Sequence, residues 1–352
     1  MSGIDWRQLY AANRAAIARA DVPTTDGVGA SPGPRRWAGP RGALPTAERL
    51  RTGVDKDLRV LVHVPRSLDT ATPAPLVCML HGCTQDPNTF AAATLMNAAA
   101  DRHGFVVVYP GQNRGANAQG CWNWFLPGHQ QRDAGQPAAI AAIVGDLVQT
   151  GPGCTIDPRR VFVAGLSAGG AMAAVLVACY PDVFAAAAVH SGLAYRSATS
   201  TSSAFEAMKR GPADAAVPGR AAHAAMGAYA QRVPSIVIHG NDDRTVAPIN
   251  AIHVLRQSMD ANRRAAPAIT DLDPAHPTRS WRAQTDHGYG YTCSQWLDGS
   301  GALMHELLMV DGLGHAWSGG AAGGSFTDPR GPDATDGILE FFATTSAGSR
   351  AP

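Results

Sequence analysis

Residues 161–170 read VFVAGLSAGG and carry the strongest structural signal in the chain. The first letters form an apolar run typical of a buried strand, and the last begin a run of small residues that suits a helix. Between them stands the motif G-x-S-x-G, with Ser167 at its centre. Glycine lets a strand and a helix cross closely, so the segment predicts a tight strand-to-helix turn that exposes the serine hydroxyl as a nucleophile.

Outward from this turn, apolar strand-like runs alternate with alanine-rich helix-like runs. This alternation predicts an α/β fold with a mostly parallel central sheet and helices on both faces. Residues 196–232 and 318–336 interrupt the pattern and are expected to form irregular loops or a small lid. The predicted strands are Leu58–Val64, Leu76–Leu80, Val106–Tyr109, Val161–Ala164, Ala186–His190, Ser235–His239 and Leu303–Val310. The predicted helices are Ala91–His103, Pro137–Thr150, Ala168–Tyr180, Ile249–Met259 and Ala334–Thr344.

The N-terminal part of the chain differs in composition from the rest. We expect residues 1–49 to form a short helix over residues 5–20, followed by an arm rich in glycine and proline. One globular domain is then predicted over residues 50–349. Because the first twenty residues lack the continuous apolar segment of a secretory signal peptide, the sequence favours a cytoplasmic location.

Composition narrows the range of partners. The 352 residues include 29 basic and 28 acidic side chains, which gives a net charge of +1. Nucleic acids and anionic membranes attract clustered positive charge, so neither is expected as the principal partner. No run approaches the roughly 18–20 apolar residues of a membrane span. The sequence gives no indication of the oligomeric state.

A serine nucleophile needs a general base and an acid that orients the base. After a turn of this kind the expected chain order is serine, acid, histidine. Asp243 follows the predicted strand Ser235–His239, and we favour it over its neighbour Asp242 as the acid. His315 stands in a glycine-containing loop just beyond the predicted strand Leu303–Val310, and it is the candidate base.

Four other histidines compete less well for the role of the base. His190 and His239 stand at strand ends, where a structural role is expected. His287 and His305 lack the setting of His315, which is a glycine-containing loop just beyond a predicted strand.

The oxygen that becomes negative during attack needs hydrogen-bond donors. One is expected to be the backbone N–H of Ala168, the residue after the nucleophile. The other is expected from the loop His81–Gln85, which follows the strand Leu76–Leu80. Within that loop the N–H of Cys83 is the candidate donor.

The six cysteines do not indicate one pairing. None has C-x-x-C spacing, which argues against a zinc site. Cys78 and Cys179 lie in apolar or helical runs and are expected to be buried thiols. The four that remain allow three pairings and fall in loop-like sequence: Cys83, Cys121, Cys154 and Cys293.

Five segments in order resemble the polyhydroxybutyrate (PHB) depolymerase-type esterases. They are LHGCTQ at 80–85, CWNWF at 121–125, GLSAGG at 165–170, YPDVF at 180–184 and GHAWSGG at 314–320. The resemblance covers residues of about 55–345 and implies the α/β-hydrolase fold that this family shares with feruloyl and acetylxylan esterases. It implies Ser167, Asp243 and His315 as the catalytic triad, with Asp243 in the G-x-x-D-x-x-V pattern at 240–246. Members of the family are often extracellular, in contrast to the location favoured above.

The resemblance implies hydrolysis of a short-chain hydroxyalkanoate polyester or its oligomers, with no metal or organic cofactor. A feruloyl or acetylxylan esterase is the alternative enzyme, and a non-catalytic binding protein on the same scaffold is the alternative of another class. Gln85, Trp122, Trp124 and Trp317 are candidate substrate-binding residues, and for the three tryptophans core packing is an equal alternative. Cys83 and Cys121 are the preferred disulfide pair, should one form, because their loops are expected to flank the same cleft.

Overall fold

The seven strands predicted from apolar runs lie together with three others in a ten-stranded sheet of the described residues. The computed structural model describes residues 47–49, 58–69, 71–212, 218–267, 272–286 and 288–348. The strands described are β1 (Ala47–Arg49), β2 (Arg59–His63), β3 (Ala74–Leu80), β4 (Val106–Gly111), β5 (Ile156–Leu166), β6 (Ala186–His190), β7 (Ser235–Gly240), β8 (Arg279–Gln284), β9 (Gly290–Leu297), β10 (Leu303–Val310), β11 (Trp317–Ser318) and β12 (Thr327–Asp328).

The helices connect these strands. In the described part of the chain they are α1 (Pro87–Thr94), α2 (Met96–His103), α3 (Gly135–Thr150), α4 (Ala168–Cys179), α5 (Thr201–Arg210), α6 (Pro218–Met226), α7 (Ile249–Ala265) and α8 (Ala334–Gly348). Among them, none combines the length and apolar character that crossing a membrane requires.

The strand order across the sheet is β1-β2-β4-β3-β5-β6-β7-β10-β9-β8. The six central strands from β4 to β10 run parallel to one another. The two strands at either edge are antiparallel to their neighbours. Because parallel strands end at the same edge of a sheet, the loops after β3, β5, β7 and β10 meet there, at the place where ligands bind in such sheets.

Helices cover both faces of this sheet, which confirms the predicted fold class. Along β3, the side chains of Leu76, Cys78 and Leu80 pack on the face covered by α3, α4 and α7. Val77 and Met79, which alternate with them, pack on the other face against α1, α2 and α8. Period-two alternation of a continuous apolar run thus fills two separate cores.

The structure differs from the sequence-based expectation at several places, including the short strands β1, β11 and β12, which were not predicted. The predicted helix Ala91–His103 is two helices, because Leu95 adopts a left-handed conformation with φ of 59°. Residues 196–232, expected to be irregular, contain α5 and α6. The hairpin of β8 and β9 was not predicted, since the sequence of β8 is mostly polar and the strand is defined by its pairing with β9.

Except for residues 47–49, which form β1, the predictions for the N-terminal segment 1–49 lie outside the described residues. They are the helix over residues 5–20 and the arm over residues 21–45. The domain boundary near residue 50 stays a prediction.

Candidate active site

Ser167 stands at the turn between β5 and α4, in a conformation that non-glycine residues rarely adopt. Its φ is 58° and its ψ is −119°. The crowding explains why glycine flanks it: a Cβ at Gly169 would overlap the carbonyl of Leu80, and a Cβ at Gly165 would overlap the carbonyl of Gly169. The N–H of Ser167 donates to the carbonyl of His190 at 2.9 Å, which fixes the turn against β6. The predicted nucleophile is thus held in a strained backbone by its neighbours.

The loop after β3 lies directly against this turn. Leu80 pairs with Gly165 in the sheet, and a Cβ at Gly82 would lie 3.5 Å from the Cβ of Ser167. Among the described residues, no acceptor contacts the N–H of Cys83. The N–H of Ala168 belongs to the first turn of α4, where N–H groups have no partner within the helix. Both predicted oxyanion donors are therefore free to bind an oxygen.

Two buried side chains fix the loop after β3. The ring of His81 donates from Nδ1 to the carbonyl of Gly82 at 2.8 Å, and its Nε2 accepts from the N–H of Gln112 at 3.1 Å. Gln85 accepts from the N–H of Gly82 at 2.9 Å. The bend at Gly82 is therefore held on both its carbonyl and its amide side.

A disulfide joins Cys83 to Cys121. This is the pair preferred from the sequence, and it ties the loop after β3 to the loop after β4. A backbone hydrogen bond of 2.7 Å from Thr84 to Gln119 runs beside it. In the described residues the four other cysteines are free and buried: Cys78, Cys154, Cys179 and Cys293.

The predicted acid and base are in contact. Nδ1 of His315 lies 2.7 Å from Oδ2 of Asp243. The other carboxylate oxygen of Asp243 accepts from the N–H groups of Thr245 and Val246 at 2.9 and 2.8 Å. Because Nδ1 donates to the carboxylate, Nε2 of His315 is left as the basic nitrogen.

Asp242 has a different environment from its neighbour. Its side chain is 57% exposed and lies 3.3 Å from the guanidinium of Arg244. The side chain of Asp243 is fully buried. The structure therefore brings Asp243, the favoured acid, to the histidine and leaves Asp242 at the surface.

Burial by itself would raise the pKa of Asp243. The hydrogen bond from His315 and the nearby rings of His315 and His239 outweigh burial, so the pKa of the carboxyl lies below its usual value. His239 Nε2 lies 2.8 Å from the carbonyl of Val246 and 3.5 Å from Oδ2 of Asp243. Asp243 is thus an anion near neutral pH, as an acid that orients an imidazole must be.

The competing histidines have structural positions. His190 accepts at Nε2 from the N–H of Ser318 and stacks on Trp317, and burial lowers its pKa to about 3. His305 is buried beside Ser235 and Asn262, and burial lowers its pKa to about 3 as well. His287 lies outside the described residues.

The candidate substrate-binding residues are mostly enclosed. The exposed fractions of Trp122, Trp124 and Trp317 are 0%, 4% and 1%. Of the two roles considered for these rings, burial favours core packing. Gln85 is 4% exposed, and both ends of its amide are occupied, by the N–H of Gly82 and the carbonyl of Ser325. These two hydrogen bonds favour a structural role, in which Gln85 holds the loop after β3 against residue 325.

One aromatic side chain beside His315 was missed by sequence analysis. Phe326 is 46% exposed, and its ring centroid lies 6.3 Å from that of His315, edge to face. It lies in the glycine-rich stretch 318–336, where the sequence predicts only a loop. The sole signal was that this stretch directly follows the loop of His315.

A comparison with solved structures bears on the fold. The chain resembles an acetyl xylan esterase from Aspergillus awamori of solved structure, with a TM-score of 0.66 and 21% identity over 85% of this chain and 99% of that one. This likeness confirms the α/β-hydrolase fold.

Curated relatives share more sequence. The chain is 35% identical to poly(3-hydroxyalkanoate) depolymerase C of Paucimonas lemoignei over 74% of this chain and 58% of the relative. It is 30% identical to feruloyl esterase B of Thermothelomyces thermophilus over 57% of this chain and 69% of the relative. The chain thus spans little more than half the length of the depolymerase. The model of the "Esterase PHB depolymerase" family matches residues 63–268, and the chain therefore belongs to that family.

Proposed function

We propose that the protein is a serine esterase in which Ser167, His315 and Asp243 form the catalytic triad. The observation that carries the proposal is the 2.7 Å contact between His315 Nδ1 and a buried, ionised Asp243, at the same sheet edge as the strained turn of Ser167. Strain at a serine and an oriented imidazole are both expected where a hydroxyl acts as a nucleophile.

In the proposed mechanism, Oγ of Ser167 attacks the ester carbonyl and its proton passes to Nε2 of His315. The N–H groups of Cys83 and Ala168 bind the negative oxygen of the tetrahedral intermediate. When the intermediate collapses, the C–O bond to the alcohol breaks and His315 gives the proton to the leaving oxygen. Water then attacks the acyl-enzyme, again with His315 as the base, and releases the acid. No step needs a metal or an organic cofactor.

For the substrate we propose short-chain hydroxyalkanoate esters, in particular oligomers of 3-hydroxybutyrate. The depolymerase relative supports this class by its name and by its 35% identity. The half-exposed phenyl ring beside the base supports an uncharged, apolar ester chain rather than a charged one. Feruloyl and acetyl esters of plant polysaccharides are the alternative that the other relatives raise.

One substrate panel tests this proposal. Purified protein is assayed for kcat/KM on a 3-hydroxybutyrate trimer, methyl ferulate, acetylated xylan and p-nitrophenyl butyrate, with the Ser167→Ala variant as the control. We expect the trimer and p-nitrophenyl butyrate to be hydrolysed, and the variant to hydrolyse neither. Rapid release of ferulate without turnover of the trimer would overturn the substrate class and leave the triad in place. Absence of turnover on all four would favour a binding protein.

A further inference from the structure

We propose that Phe326 forms the wall of the subsite that receives the alcohol part of the ester. This inference rests on the triad proposed above and adds to it a residue that sets specificity. Three observations carry it: the backbone strain at Phe326, the way its loop is held, and its position beside His315.

The backbone of Phe326 is in the left-handed region, with φ of 51°. This conformation is unusual for a bulky residue, whereas glycine adopts it freely. Four glycines occur between positions 319 and 324, yet the residue at this position, whose backbone conformation favours glycine, is a phenylalanine. Strain of this kind persists where the side chain has a function or the surroundings hold it.

The loop of Phe326 is held by hydrogen bonds within the loop, from Trp317 and from the distant Gln85. The carbonyl of Phe326 accepts from the N–H of Trp317 at 2.7 Å. The carbonyl of Ser325 accepts from Nε2 of Gln85 at 2.9 Å. The hydroxyl of Thr327 donates to the carbonyl of Ala321 at 2.6 Å. The backbone is therefore fixed while the ring stays 46% exposed.

The position of the ring indicates which part of the substrate it meets. Its centroid lies 6.3 Å from that of the His315 ring, at an interplanar angle of 78°. In acyl transfer the histidine that accepts the serine proton must then reach the leaving oxygen to protonate it. The alcohol part therefore leaves from the side of the imidazole, and Phe326 is the exposed apolar surface found there.

A phenyl wall suits an alkyl or aryl alcohol. Contact with such a group removes apolar area from water, and a fully buried methylene is worth about a fourfold change in kcat/KM, or about 0.8 kcal/mol. In a 3-hydroxybutyrate oligomer the leaving unit is a secondary alcohol that carries a methyl group. We therefore expect Phe326 to contact that methyl group and the chain beyond it.

A second role for Phe326 is support of the His315 ring. This role makes a different prediction, because His315 acts in every step on every substrate. Loss of support would lower kcat/KM by the same factor for all esters. Loss of an alcohol wall would instead weaken the dependence on alcohol length and leave the dependence on acyl length unchanged.

The test uses two ester series with wild type and the variants Phe326→Gly and Phe326→Leu. One series keeps the butyryl group and varies the alcohol from ethyl to pentyl, since these alcohols leave equally well. The other keeps ethanol and varies the acyl chain from acetyl to hexanoyl. The matched control is Trp281→Ala, which removes an aromatic ring of similar exposure (42%) from the edge strand β8.

For wild type we expect kcat/KM to rise about two- to fourfold per methylene of the alcohol. In Phe326→Gly this rise should fall below about 1.5-fold, with the acyl series unchanged in slope, and Phe326→Leu should lie between. The melting temperature of Phe326→Gly should not fall, because glycine relieves the strain at φ of 51°. Trp281→Ala should match wild type in both series.

An independent readout is the fate of the butyryl-enzyme when butanol competes with water. An alcohol wall favours transfer to butanol, so Phe326→Gly should lower the ratio of butyl butyrate to butyrate about fivefold or more. An unchanged alcohol slope, or an equal loss on all esters, would overturn the proposal for Phe326. Turnover that survives in Ser167→Ala would instead overturn the triad, so the two failures can be told apart.

Discussion

The turn of Ser167 and the loop of Phe326 both hold a non-glycine residue at positive φ, yet only the first is marked by a motif in the sequence. Gly165 and Gly169 of the five-residue motif leave room for the turn of Ser167, and its N–H is bonded to His190 of β6. No motif surrounds Phe326, whose loop is held by a bond from Trp317 and, at the neighbouring Ser325, by a bond from Gln85, 240 positions before it. The proposed chemical centre can therefore be recognised from a local motif, whereas the proposed wall beside it depends on tertiary contacts that no motif signals.

This difference predicts how the two regions respond to substitution. Changes at the chemical centre should remove activity on every substrate. Changes at the wall should alter the choice among substrates. The predictions below use this contrast, beginning with the largest expected effect.

Ser167→Ala should lower kcat on p-nitrophenyl butyrate by about 10⁵–10⁶-fold, since the attacking oxygen is gone. Its circular-dichroism spectrum and melting temperature should stay close to those of wild type, because alanine fits the same space. Activity well above the residual of about 10³–10⁴-fold over the uncatalysed rate would remove Ser167 from its role.

Asp243→Asn should lower kcat by about 10⁴-fold, because an amide can hold His315 in the wrong tautomer. The matched change Asp242→Asn should lower kcat by less than about twofold, since that carboxylate is exposed beside Arg244. Measuring kcat of the two variants on one ester tests which carboxylate is the acid. If the order of the two losses were reversed, the acid would be Asp242.

Loss of the disulfide should lower stability and activity together. In Cys83→Ser/Cys121→Ser the free energy of unfolding should fall by about 4 kcal/mol, the chain-entropy value for a loop closed across 38 positions. The hydrolysis rate should fall about tenfold or more, because the disulfide no longer holds the main-chain N–H of residue 83 in place. Urea denaturation and ester assays measure both effects. Reductant should lower the free energy of unfolding and the hydrolysis rate of wild type but leave both quantities unchanged in the double variant. If reductant affected the two proteins equally, the disulfide would have no such role.

Buried neutral histidines should make the fold sensitive to mild acid. Burial lowers the pKa values of His190 and His305 to about 3 and that of His253 to about 4. Between about pH 6.5 and pH 4 the unfolded chain binds protons that the folded chain does not, so stability falls as the pH falls. Asp243 acts in the same direction at lower pH, because its lowered pKa gives stability that is lost as the pH falls below the usual value of a carboxyl group.

Each of these histidines should contribute up to about 1.4 kcal/mol per pH unit in that range. The variant His305→Gln should therefore show a shallower dependence of unfolding free energy on pH, by about one proton, whatever its stability at neutral pH. Urea titrations at pH 6.5, 5.5 and 4.5 measure the slope. Equal slopes for the variant and wild type would show that His305 is protonated in the folded state.

Several elements were predictable from sequence because their signals are local. The strands Ala186–His190 and Leu303–Val310 have the predicted bounds at both ends, since each is an apolar run. The residues chosen for the triad come from motifs at strand ends, and parallel strands bring such ends together. The Cys83–Cys121 bond followed from placing two loops at one cleft.

Other features could not be predicted because they depend on distant contacts. For Trp317 and Trp122 the sequence leaves substrate binding and core packing as equal alternatives, and only the packed structure shows that their rings are enclosed. Strand β8 is defined by its partner and has no apolar pattern of its own. Phe326 lies in no motif, and its loop is held beside His315 by the bond from Trp317 to its carbonyl and the bond from Gln85 to the carbonyl of Ser325.

The bond from Gln85 to residue 325 has a consequence for how specificity can change. Gln85 holds a main-chain carbonyl there, and that group is present whatever side chain stands at positions 325 and 326. Its other end holds the main-chain N–H of Gly82 in the loop that carries the proposed oxyanion donor. A library randomised at these two positions can therefore be screened for activity on new alcohols, while Gln85 continues to hold the loop after β3. The fold thus offers a site where selectivity can evolve independently of chemical competence.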